Sequence, residues 1–507
     1  MTSLIGRHAI GAMSSFLAAI LVTASASATD LRIGLRADPD ILDPAQGGSV
    51  AGRVIFAALC DKLIENSADG KFKPQLATSW AWSPDNLTLT LKLRDHVLFH
   101  DGQTMDAAAV KTNLDRYRSD PMSRRKTELK PVASIDVVDP LTVAIKLSEA
   151  YAPLVSVLAD RAGMIMSPTA LAKDGANIGV HPVCAGPFQF VERVSQDHIT
   201  LKRFDQYWDK DAISLDSVTY RMIPDDAVRL LSLRSGDLDL IERLSPSDIA
   251  AIKDDKSVKA IDGPSIAFDV ISINIAHGDS ADNPLGKSVK VRQALALSID
   301  RAAISQVVYE GLFPPANQTE PVGTPFYDAS QALKDRDVEK AKALLAEAGT
   351  ANPSFTLSVA NSPTLAQVGQ MIQAMAAEAG FDIKIQALES STLAANSNDG
   401  KYQASMAIWS GRPDPDGNIT PWVACDGFLN WGHYCNPELD KILAQARQTT
   451  DDEERTKLYS QSVGIYLADV PFIPLYHYKS IWAARSDIDG FVPYPDGLIR
   501  LQGVRKT

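Results

Sequence analysis

Apolar and polar residues alternate most regularly about two-thirds of the way along the chain. In residues 337–349 the apolar side chains fall at i, i+3, i+4 and i+7, and residues 365–379 repeat that spacing; each segment ends at a glycine. Residues 355–360 have the composition of a strand, and residues 381–387 alternate apolar with polar side chains. This order of helix, strand, helix and strand predicts an open sheet covered by helices.

Weaker periodicities predict further elements in the rest of the chain. They are strands at 31–34, 87–93, 141–147 and 472–476 and helices at 55–63 and 106–118. With 507 residues the chain exceeds the size at which a single hydrophobic core stops growing, so at least two lobes are expected. The strands near the two ends are compatible with one lobe built from both ends of the chain, with another lobe inserted.

The first 28 residues have the pattern of a secretory signal peptide. A short basic region precedes an apolar run at about 9–22, and Ala26-Ser27-Ala28 forms an A-x-A cleavage signal. A membrane anchor is the alternative, but the run is shorter than the roughly 20 apolar residues that a spanning helix needs. The first cysteine is Cys60, far from the cleavage signal, so a lipid anchor is not expected. We therefore expect a soluble periplasmic protein after cleavage near Ala28.

The charge of the chain limits the classes of partner. The formal net charge is −12, and removal of residues 1–28, which hold one Arg and no acid, changes it to −13. Nucleic-acid binders carry a basic face, so no nucleic-acid partner is expected.

The four cysteines predict disulfides, because an even number in an exported chain is typical of bridged pairs. Cys425 and Cys435 enclose a short loop, and we expect them to be bridged. Cys60 and Cys184 form the remaining pair, with two buried free thiols as the alternative. No C-x-x-C motif occurs, so neither a redox motif nor a zinc knuckle is predicted.

Catalytic and cofactor motifs are missing from the sequence. It contains no H-E-x-x-H, no G-x-S-x-G and no G-x-G-x-x-G. The segment Gly286-Lys287-Ser288 resembles the end of a phosphate loop, but Ala281 stands where that motif requires glycine. The eight histidines lack metal-ligand spacing, so no metal and no cofactor are expected. An enzyme would need a base and a nucleophile that meet only on folding.

Several blocks resemble one protein family. Residues 74–80 (PQLATSW) are followed by Lys92-Leu93-Arg94, by Phe99-His100-Asp101-Gly102 and by Arg116. Further blocks follow in the family's order at 185–188, 201–208, 229–239, 291–304 and 409–418. In these blocks the chain is similar to the family 5 extracellular solute-binding proteins, which serve ABC importers of dipeptides, oligopeptides, nickel complexes and opines.

The resemblance implies an α/β fold of the periplasmic binding protein-like type II. Such a fold has two lobes, an additional small subdomain and a hinged cleft in which the ligand is removed from water. After a signal peptide at 1–28, the expected divisions are 29–58, 180–268 and 474–507 for lobe I, 59–179 for a small subdomain inserted in lobe I, and 269–473 for lobe II.

The resemblance also indicates which residues contact the ligand. In peptide-binding relatives the block at 409–416 lines the cleft, and Trp409 would form an apolar wall, with core packing as the alternative role. Arg412 stands where dipeptide binders carry an acid for the ligand's amino group. A cation there favours a carboxylate or phosphate, unless Arg412 only forms a salt pair. Asp414 or Asp416 is then the candidate for the amine, although Asp-Pro-Asp-Gly is also a turn sequence.

Two further segments hold candidate contacts. Dipeptide-type relatives carry an arginine in the segment matching 360–364; this chain has none there, and Asn361 offers an amide instead. In relatives a loop near the N-terminus offers backbone groups to the ligand, and Gly47, Gly48 and Ser49 occupy it here. A plain surface turn is the alternative for this loop.

These observations predict a binding protein without catalysis. It would be the periplasmic substrate-binding component of an ABC importer, capturing a small peptide or peptide-like solute and delivering it to the inner-membrane permease and its ATPase. An opine, a glutathione-like anion or a metal chelate is the alternative ligand, and a periplasmic hydrolase is the alternative from another class. We expect a monomer.

Overall fold

The protein is represented by a computed structural model that describes residues 29–507; the predicted signal peptide lies outside the described residues. Its strands are β1 (Asp30–Leu35), β2 (Ile64–Asn66), β3 (Phe72–Pro74), β4 (Ala77–Trp82), β5 (Thr88–Leu93), β6 (Val132–Asp139), β7 (Thr142–Leu147), β8 (Phe188–Val194), β9 (His198–Arg203), β10 (Ser217–Met222), β11 (Leu240–Ile241), β12 (Val258–Gly263), β13 (Phe268–Ile273), β14 (Ser354–Ala360), β15 (Asp382–Leu388), β16 (Ala404–Trp409), β17 (Phe472–His477), β18 (Ser480–Arg485), β19 (Ile488–Asp489) and β20 (Arg505–Lys506). Its helices are α1 (Val50–Leu59), α2 (Ala107–Ser119), α3 (Leu154–Leu158), α4 (Pro168–Asp174), α5 (Asp226–Ser235), α6 (Pro246–Ile252), α7 (Pro284–Lys287), α8 (Val289–Ser298), α9 (Arg301–Tyr309), α10 (Val338–Glu347), α11 (Pro363–Ala377), α12 (Ser390–Asn398), α13 (Asp416–Val423), α14 (Pro437–Gln448) and α15 (Asp452–Asp469).

Side-chain caps fix where several helices begin. Asp106 accepts a hydrogen bond from a backbone N–H in the first turn of α2, and Asp337 does the same for α10. The helix predicted at 55–63 begins at Val50 instead, because Ser49 caps it there. It ends at Leu59, since Cys60 has an extended backbone.

Three sheets organise the chain. A seven-stranded sheet has the order β12-β18-β11-β1-β10-β9-β8, in which β1 is parallel to both of its neighbours. A five-stranded sheet has the order β15-β14-β16-β13-β17, and its β14 is parallel to both β15 and β16. A four-stranded antiparallel sheet has the order β4-β5-β7-β6. We call the parts of the molecule around these sheets the seven-stranded lobe, the five-stranded lobe and the four-stranded subdomain.

The chain crosses between the two lobes at two neighbouring segments. Residues 264–267 connect β12 to β13, and residues 478–479 connect β17 to β18. Tyr478 N donates to Ala267 O at 2.8 Å, so the two crossings are hydrogen-bonded to each other, and Ile266 N donates to Pro495 O at 3.1 Å. This pair of connections has the form of a hinge, which can absorb rotation while each lobe keeps its packing.

The strand predicted at 472–476 is present as β17, but it lies in the five-stranded sheet. The chain returns to the seven-stranded sheet only at β18, which pairs with β11 and β12. The strand near the C-terminus that shares a sheet with β1 is therefore β18. The residue boundaries predicted for the lobes and the subdomain stay a prediction.

Both cysteine pairs are bridged. Cys60, at the end of α1, is joined to Cys184, and both lie fully inside the core of the seven-stranded lobe. Cys425 is joined to Cys435 across a loop of the five-stranded lobe. Within residues 29–507, no helix combines the length and the apolar character that crossing a bilayer requires.

Candidate functional site

Trp409 ends strand β16 at the edge of the five-stranded sheet that adjoins the hinge. It pairs with Phe268, the first residue of β13, immediately after the crossing at 264–267. Asn361 directly follows β14, which is parallel to β16, so Asn361 and Trp409 lie at the same edge of the sheet. Asn361 is exposed, and its backbone N–H donates to Leu388 O.

Asn418, in the first turn of α13, holds the segment from Trp409 to Arg412 in place. Its side-chain oxygen accepts hydrogen bonds from Trp409 Nε1 at 3.1 Å and from Arg412 N at 2.7 Å. Its amide nitrogen donates to Arg412 O and to Glu320 Oε1, both at 2.8 Å. Asn418 is completely buried, so these four bonds satisfy it fully and fix the two residues relative to each other. The sequence analysis did not single out this residue.

The Arg412 side chain lies over the Trp409 ring, with its guanidinium carbon 4.5 Å from the ring centroid. Arg412 Nη1 donates to Gly411 O at 2.7 Å and to Ser410 Oγ at 3.2 Å. Gly411 has a φ of +76°, and a Cβ there would lie 2.2 Å from Ile266 O. The position therefore requires glycine, because the turn presses against the hinge segment.

The loop bridged by Cys425 and Cys435 packs against Trp409, which is only 9% exposed and belongs to the buried core around α13 and α14. It carries Phe428, whose ring packs edge-on against Trp409 with 5.8 Å between the centroids. Phe428 is 61% exposed, so most of its ring faces solvent. The bridge limits the freedom of the loop and so keeps Phe428 beside Trp409.

Asp414 and Asp416 already have partners. Arg455 Nη2 donates to both oxygens of Asp414 at 2.8 Å, and both residues are buried. Asp416 Oδ1 accepts from Thr420 Oγ1 and lies 3.4 Å from Arg447 Nη1. These contacts tie the turn between β16 and α13 to helices α14 and α15. None of these contacts directs the Asp414 or Asp416 carboxylate towards the Trp409 ring. The binding site proposed below therefore includes neither residue.

The loop Gly47–Ser49 lies on the seven-stranded lobe and is held by its own aspartates. Asp40 accepts hydrogen bonds from the backbone N–H groups of Gly48 and Ser49 and from Ser49 Oγ. Gly47 N donates to Asp43 O at 2.7 Å. A Cβ at Gly48 would lie 2.8 Å from an arginine side chain, Arg124, so the loop packs tightly against a basic segment.

Three further arginines surround this loop. Gly47 O accepts hydrogen bonds from Arg161 Nη1 at 3.0 Å and from Arg125 Nη2 at 3.4 Å. Arg53, on α1, forms an ion pair with Asp160, its Nε lying 3.2 Å from the Asp160 Oδ1. Each of these three arginine side chains is only about 5% exposed. The sequence analysis missed them, because they come from three separate segments.

The four-stranded subdomain meets the five-stranded lobe near these groups. Ala152 N, beside the four-stranded subdomain, donates to Arg447 O of α14 at 2.7 Å, and Thr450 contacts Asn86 at 3.3 Å. Burial lowers the pKa of Arg412, and the charge of Arg53 in the opposite lobe lowers it further. Trp409 and Arg412 therefore face the arginines around Gly47 across the junction of the lobes.

Two of the surface depressions are lined largely by other residues, although Asp40, which holds the loop Gly47–Ser49, borders the first. One, of about 460 Å³, is lined by Asp40, His181 and Phe190 on the seven-stranded lobe, and the other, of about 520 Å³, lies between α14 and α15. Trp409 and Arg412 line neither of them. Among residues 29–507, no three His, Cys, Asp or Glu side chains come together in a way that could hold a metal ion.

Glu320, the partner of Asn418, makes the stability of this region depend on pH. Burial raises its pKa from 4.5 to about 7; the Asn418 hydrogen bond opposes this shift and Asp414 adds to it. Because the folded-state pKa is raised, the stability contributed by this carboxyl is full below pH 4.5 and is lost as the pH rises through 7. The Glu320→Gln side chain cannot ionise. We therefore expect the free energy of unfolding of this variant, relative to that of the wild type, to increase by about 1 to 3 kcal/mol when the pH is raised from 4.5 to 8.

Urea unfolding of both proteins at the two pH values measures this difference. Comparing the variant with the wild type cancels the contributions of other buried carboxyls, such as Asp61 and Asp269. If the difference in free energy of unfolding between the two proteins stays the same at both pH values, Glu320 does not have a raised pKa in the folded state.

Comparisons with known proteins bear on the whole chain. Residues 71–430 match the family described as bacterial extracellular solute-binding proteins, family 5 Middle. The glutathione-binding protein GsiB of Escherichia coli O157:H7 is 32% identical over 495 residues, which cover 94% of both chains.

Solved structures have the same fold. The PBP AgaA in complex with agropinic acid, from A. tumefaciens R10, is 28% identical with a TM-score of 0.81, over 94% of this chain and 99% of that one. The substrate-binding protein CtaP of Listeria monocytogenes has a TM-score of 0.86 at 24% identity, over the same shares of the two chains. These similarities confirm the predicted α/β fold of the type II periplasmic binding proteins. The chain belongs to the family 5 extracellular solute-binding proteins and is a substrate-binding component of an ABC importer.

Proposed function

We propose that the solute is a peptide-like molecule with a free carboxylate, enclosed between the two lobes. Trp409 and Arg412 would contact it from the five-stranded lobe, and the loop Gly47–Ser49 from the seven-stranded lobe. Asn361, at the same sheet edge as Trp409, would offer its amide at the rim. The protein would release its solute chemically unchanged.

The observation that carries this proposal is the fixed position of Arg412. Its guanidinium lies over the Trp409 ring, and Asn418 holds both the Arg412 backbone and the Trp409 indole, so a cation stands beside an aromatic face. An arginine in this geometry favours a carboxylate and disfavours a free ammonium group. The names of two relatives agree with this chemistry, since one binds glutathione and the other was solved with agropinic acid.

We further infer a monomer that works in the periplasm after removal of residues 1–28. It would hand the solute to an inner-membrane permease driven by its ATPase. Two disulfides suit the oxidising periplasm, where such bridges form and persist.

Identification of the bound solute tests the proposal directly. The protein is purified from periplasm without refolding, then denatured, and the released small molecules are analysed by mass spectrometry. A peptide-like compound with a carboxylate is expected. The purified protein is next titrated in thermal unfolding with dipeptides, tripeptides, opines and glutathione. A ligand present at 100 times its Kd adds about 2.7 kcal/mol to stability, which is readily detected. If no peptide-like solute of any charge raises the melting temperature, the proposed function is wrong.

Replacement of Trp409 tests its role in binding. Trp409→Ala removes the aromatic wall and the hydrogen bond to Asn418, and we expect the Kd for the best solute to rise about tenfold or more. Trp409→Phe also loses that hydrogen bond but keeps an aromatic face, so its Kd should lie closer to the wild type. Isothermal titration of both variants measures the two values. Equal loss in both variants would assign the effect to the hydrogen bond, and no loss in either would remove Trp409 from the site.

A further inference from the structure

The arginines on the two sides of the lobe junction form one cluster, which we define as Arg53, Arg125, Arg161 and Arg412. Three come from the seven-stranded lobe and the four-stranded subdomain, and Arg412 comes from the five-stranded lobe. Arg125 and Arg161 share Gly47 O as an acceptor, and their Nε atoms are buried without a hydrogen-bond partner. Each of the two arginines thus keeps one donor without an acceptor, as Arg193, Arg229 and Arg500 also do elsewhere in the described residues.

The cluster holds more positive than negative charge. Among the described residues, the charges that most affect the pKa values of Arg412 and Arg161 belong to the other arginines of the cluster and to two carboxylates. These carboxylates are Asp160 and Glu128. Asp160 pairs with both Arg53 and Arg161, whose Nε atoms lie 3.2 Å and 3.8 Å from its Oδ1, and Glu128 lies 2.7 Å from Arg125 Nη1. Four cations against two anions leave an excess of two positive charges.

The pKa shifts of the buried groups agree with an excess of positive charge. Burial lowers the pKa of Arg161 to about 10; Asp160 opposes the shift, while Arg125, Arg53 and Arg412 add to it. Burial alone would raise the pKa of Asp160, but the arginines hold it well below its usual range.

Neighbouring acids do not remove the excess. Asp496 lies near Arg53, but Arg500 Nη2 donates to it at 2.7 Å. At the rim, Asp40 and the exposed Arg124 both lie beside Gly48 and offset each other.

We propose that this arginine cluster is a binding site for two carboxylates of one ligand, and that the ligand's negative charges are what allow the lobes to close. This inference rests on the proposed function and narrows the substrate class to peptide-like dicarboxylates. One carboxylate would lie near Arg125 and Arg161 on the Gly47 side, and the other beside Arg412 on the Trp409 side.

Arg412 lies close enough to Arg53 for that charge to lower the Arg412 pKa, and like charges repel strongly in a region poor in water. Two carboxylates between them turn this repulsion into attraction. A ligand shifts an equilibrium only through such differential contacts, so the closed state would be populated mainly with a dicarboxylate bound. The importer would thereby receive a signal that distinguishes loaded from empty protein.

Three probes separate the contribution of each carboxylate. Glutathione carries two carboxylates, the dipeptide Ala-Gly carries one, and glutathione diethyl ester carries none. We expect glutathione to bind at least tenfold more tightly than Ala-Gly, and the diester to give no thermal shift. Isothermal titration provides the Kd values, and small-angle X-ray scattering should show a smaller radius of gyration only with glutathione.

Two variants and one control test the residues. Arg412→Gln and Arg161→Gln each remove one cation, and each should weaken glutathione binding about ten- to a hundredfold, the size of a lost charge-assisted hydrogen bond. Arg412 is only partly buried in the five-stranded lobe, so that variant should fold even where Arg161→Gln fails to fold. Arg234→Gln, which removes a half-exposed cation paired with Asp255, should leave the Kd unchanged.

Several results would overturn the two-carboxylate site while leaving solute binding intact. One is an Ala-Gly affinity equal to or higher than that of glutathione. Another is an Arg412→Gln variant that binds glutathione as the wild type does. A third is that none of three dicarboxylates, namely glutathione, γ-glutamylglycine and octopine, binds, although other peptides do. Failure of every peptide-like solute would instead reject the proposed function itself.

Discussion

Replacing both Cys60 and Cys184 by alanine is expected to lower the free energy of unfolding by about 4 to 5 kcal/mol. The bridge closes a loop of 124 residues, and in the chain-entropy model a loop of roughly this length loses nearly 5 kcal/mol of unfolded-state freedom. The bridge also fixes the end of α1 against the segment that leads into β8. Gly186 N donates to Leu59 O there, and a Cβ at Gly186 would lie 2.4 Å from the Leu59 backbone.

The second bridge is the matched control. Cys425 and Cys435 are separated by 10 residues, so removal of this bridge should cost about 3 kcal/mol or less in the same model. Urea unfolding of both double-alanine variants and of the wild type gives the three values. The two variants should differ in binding as well, because only the short loop carries Phe428 beside Trp409. A larger loss from the short loop than from the long one would contradict the entropic account.

Local sequence patterns predicted local structure well. The helices expected at 337–349 and 365–379 are α10 and α11, and the strands expected at 355–360 and 381–387 are β14 and β15. These elements bury one regular face, so the spacing of their apolar residues carries the information. The open sheet covered by helices that their order predicted is present, and β14 and β15 pair in parallel within it.

The spacing of apolar residues did not predict which strands pair with each other when they are far apart in the sequence. β1 lies between β10 and β11, about 200 residues further along, and β18 rather than β17 joins its sheet. Both β17 and β18 are short apolar strands, and periodicity does not distinguish which sheet a buried strand enters. That choice depends on the hinge, where the chain leaves one lobe for the other.

In the candidate site, too, single residues could be predicted from the sequence but their long-range contacts could not. The resemblance to a family pointed to Trp409, Arg412 and the loop Gly47–Ser49, and their use by a ligand stays a prediction. Asn418 lies inside a block that the resemblance covered, but its role as a fourfold hydrogen-bond partner appears only in three dimensions. The arginine cluster draws on positions from 53 to 412, so no window of sequence contains it.

Asp414 illustrates how a turn sequence and a binding role compete for the same residue. The sequence left it as a candidate for the ligand's amine. In the structure both of its oxygens accept from Arg455 Nη2, 41 residues further along, and Asp416 N also donates to it. Burial alone would lower the pKa of Arg455, but Asp414 raises it above its ordinary value. A pKa raised by a nearby opposite charge in spite of burial is typical of a tight buried ion pair.

Arg455→Met is expected to destabilise the protein by about 3 to 5 kcal/mol, because it leaves the Asp414 charge buried without its counter-ion. Combining it with Asp414→Asn should recover most of that loss, since neither member of the pair then carries a charge and the asparagine oxygen can still accept from Asp416 N. Urea unfolding of the two single variants and the double variant measures the coupling between the residues. The double variant should also bind the best solute within about threefold of the wild type, as the pair supports the turn and does not touch the ligand. A restored stability together with a tenfold or greater loss of affinity for a peptide with a free ammonium group would instead assign Asp414 to the amine.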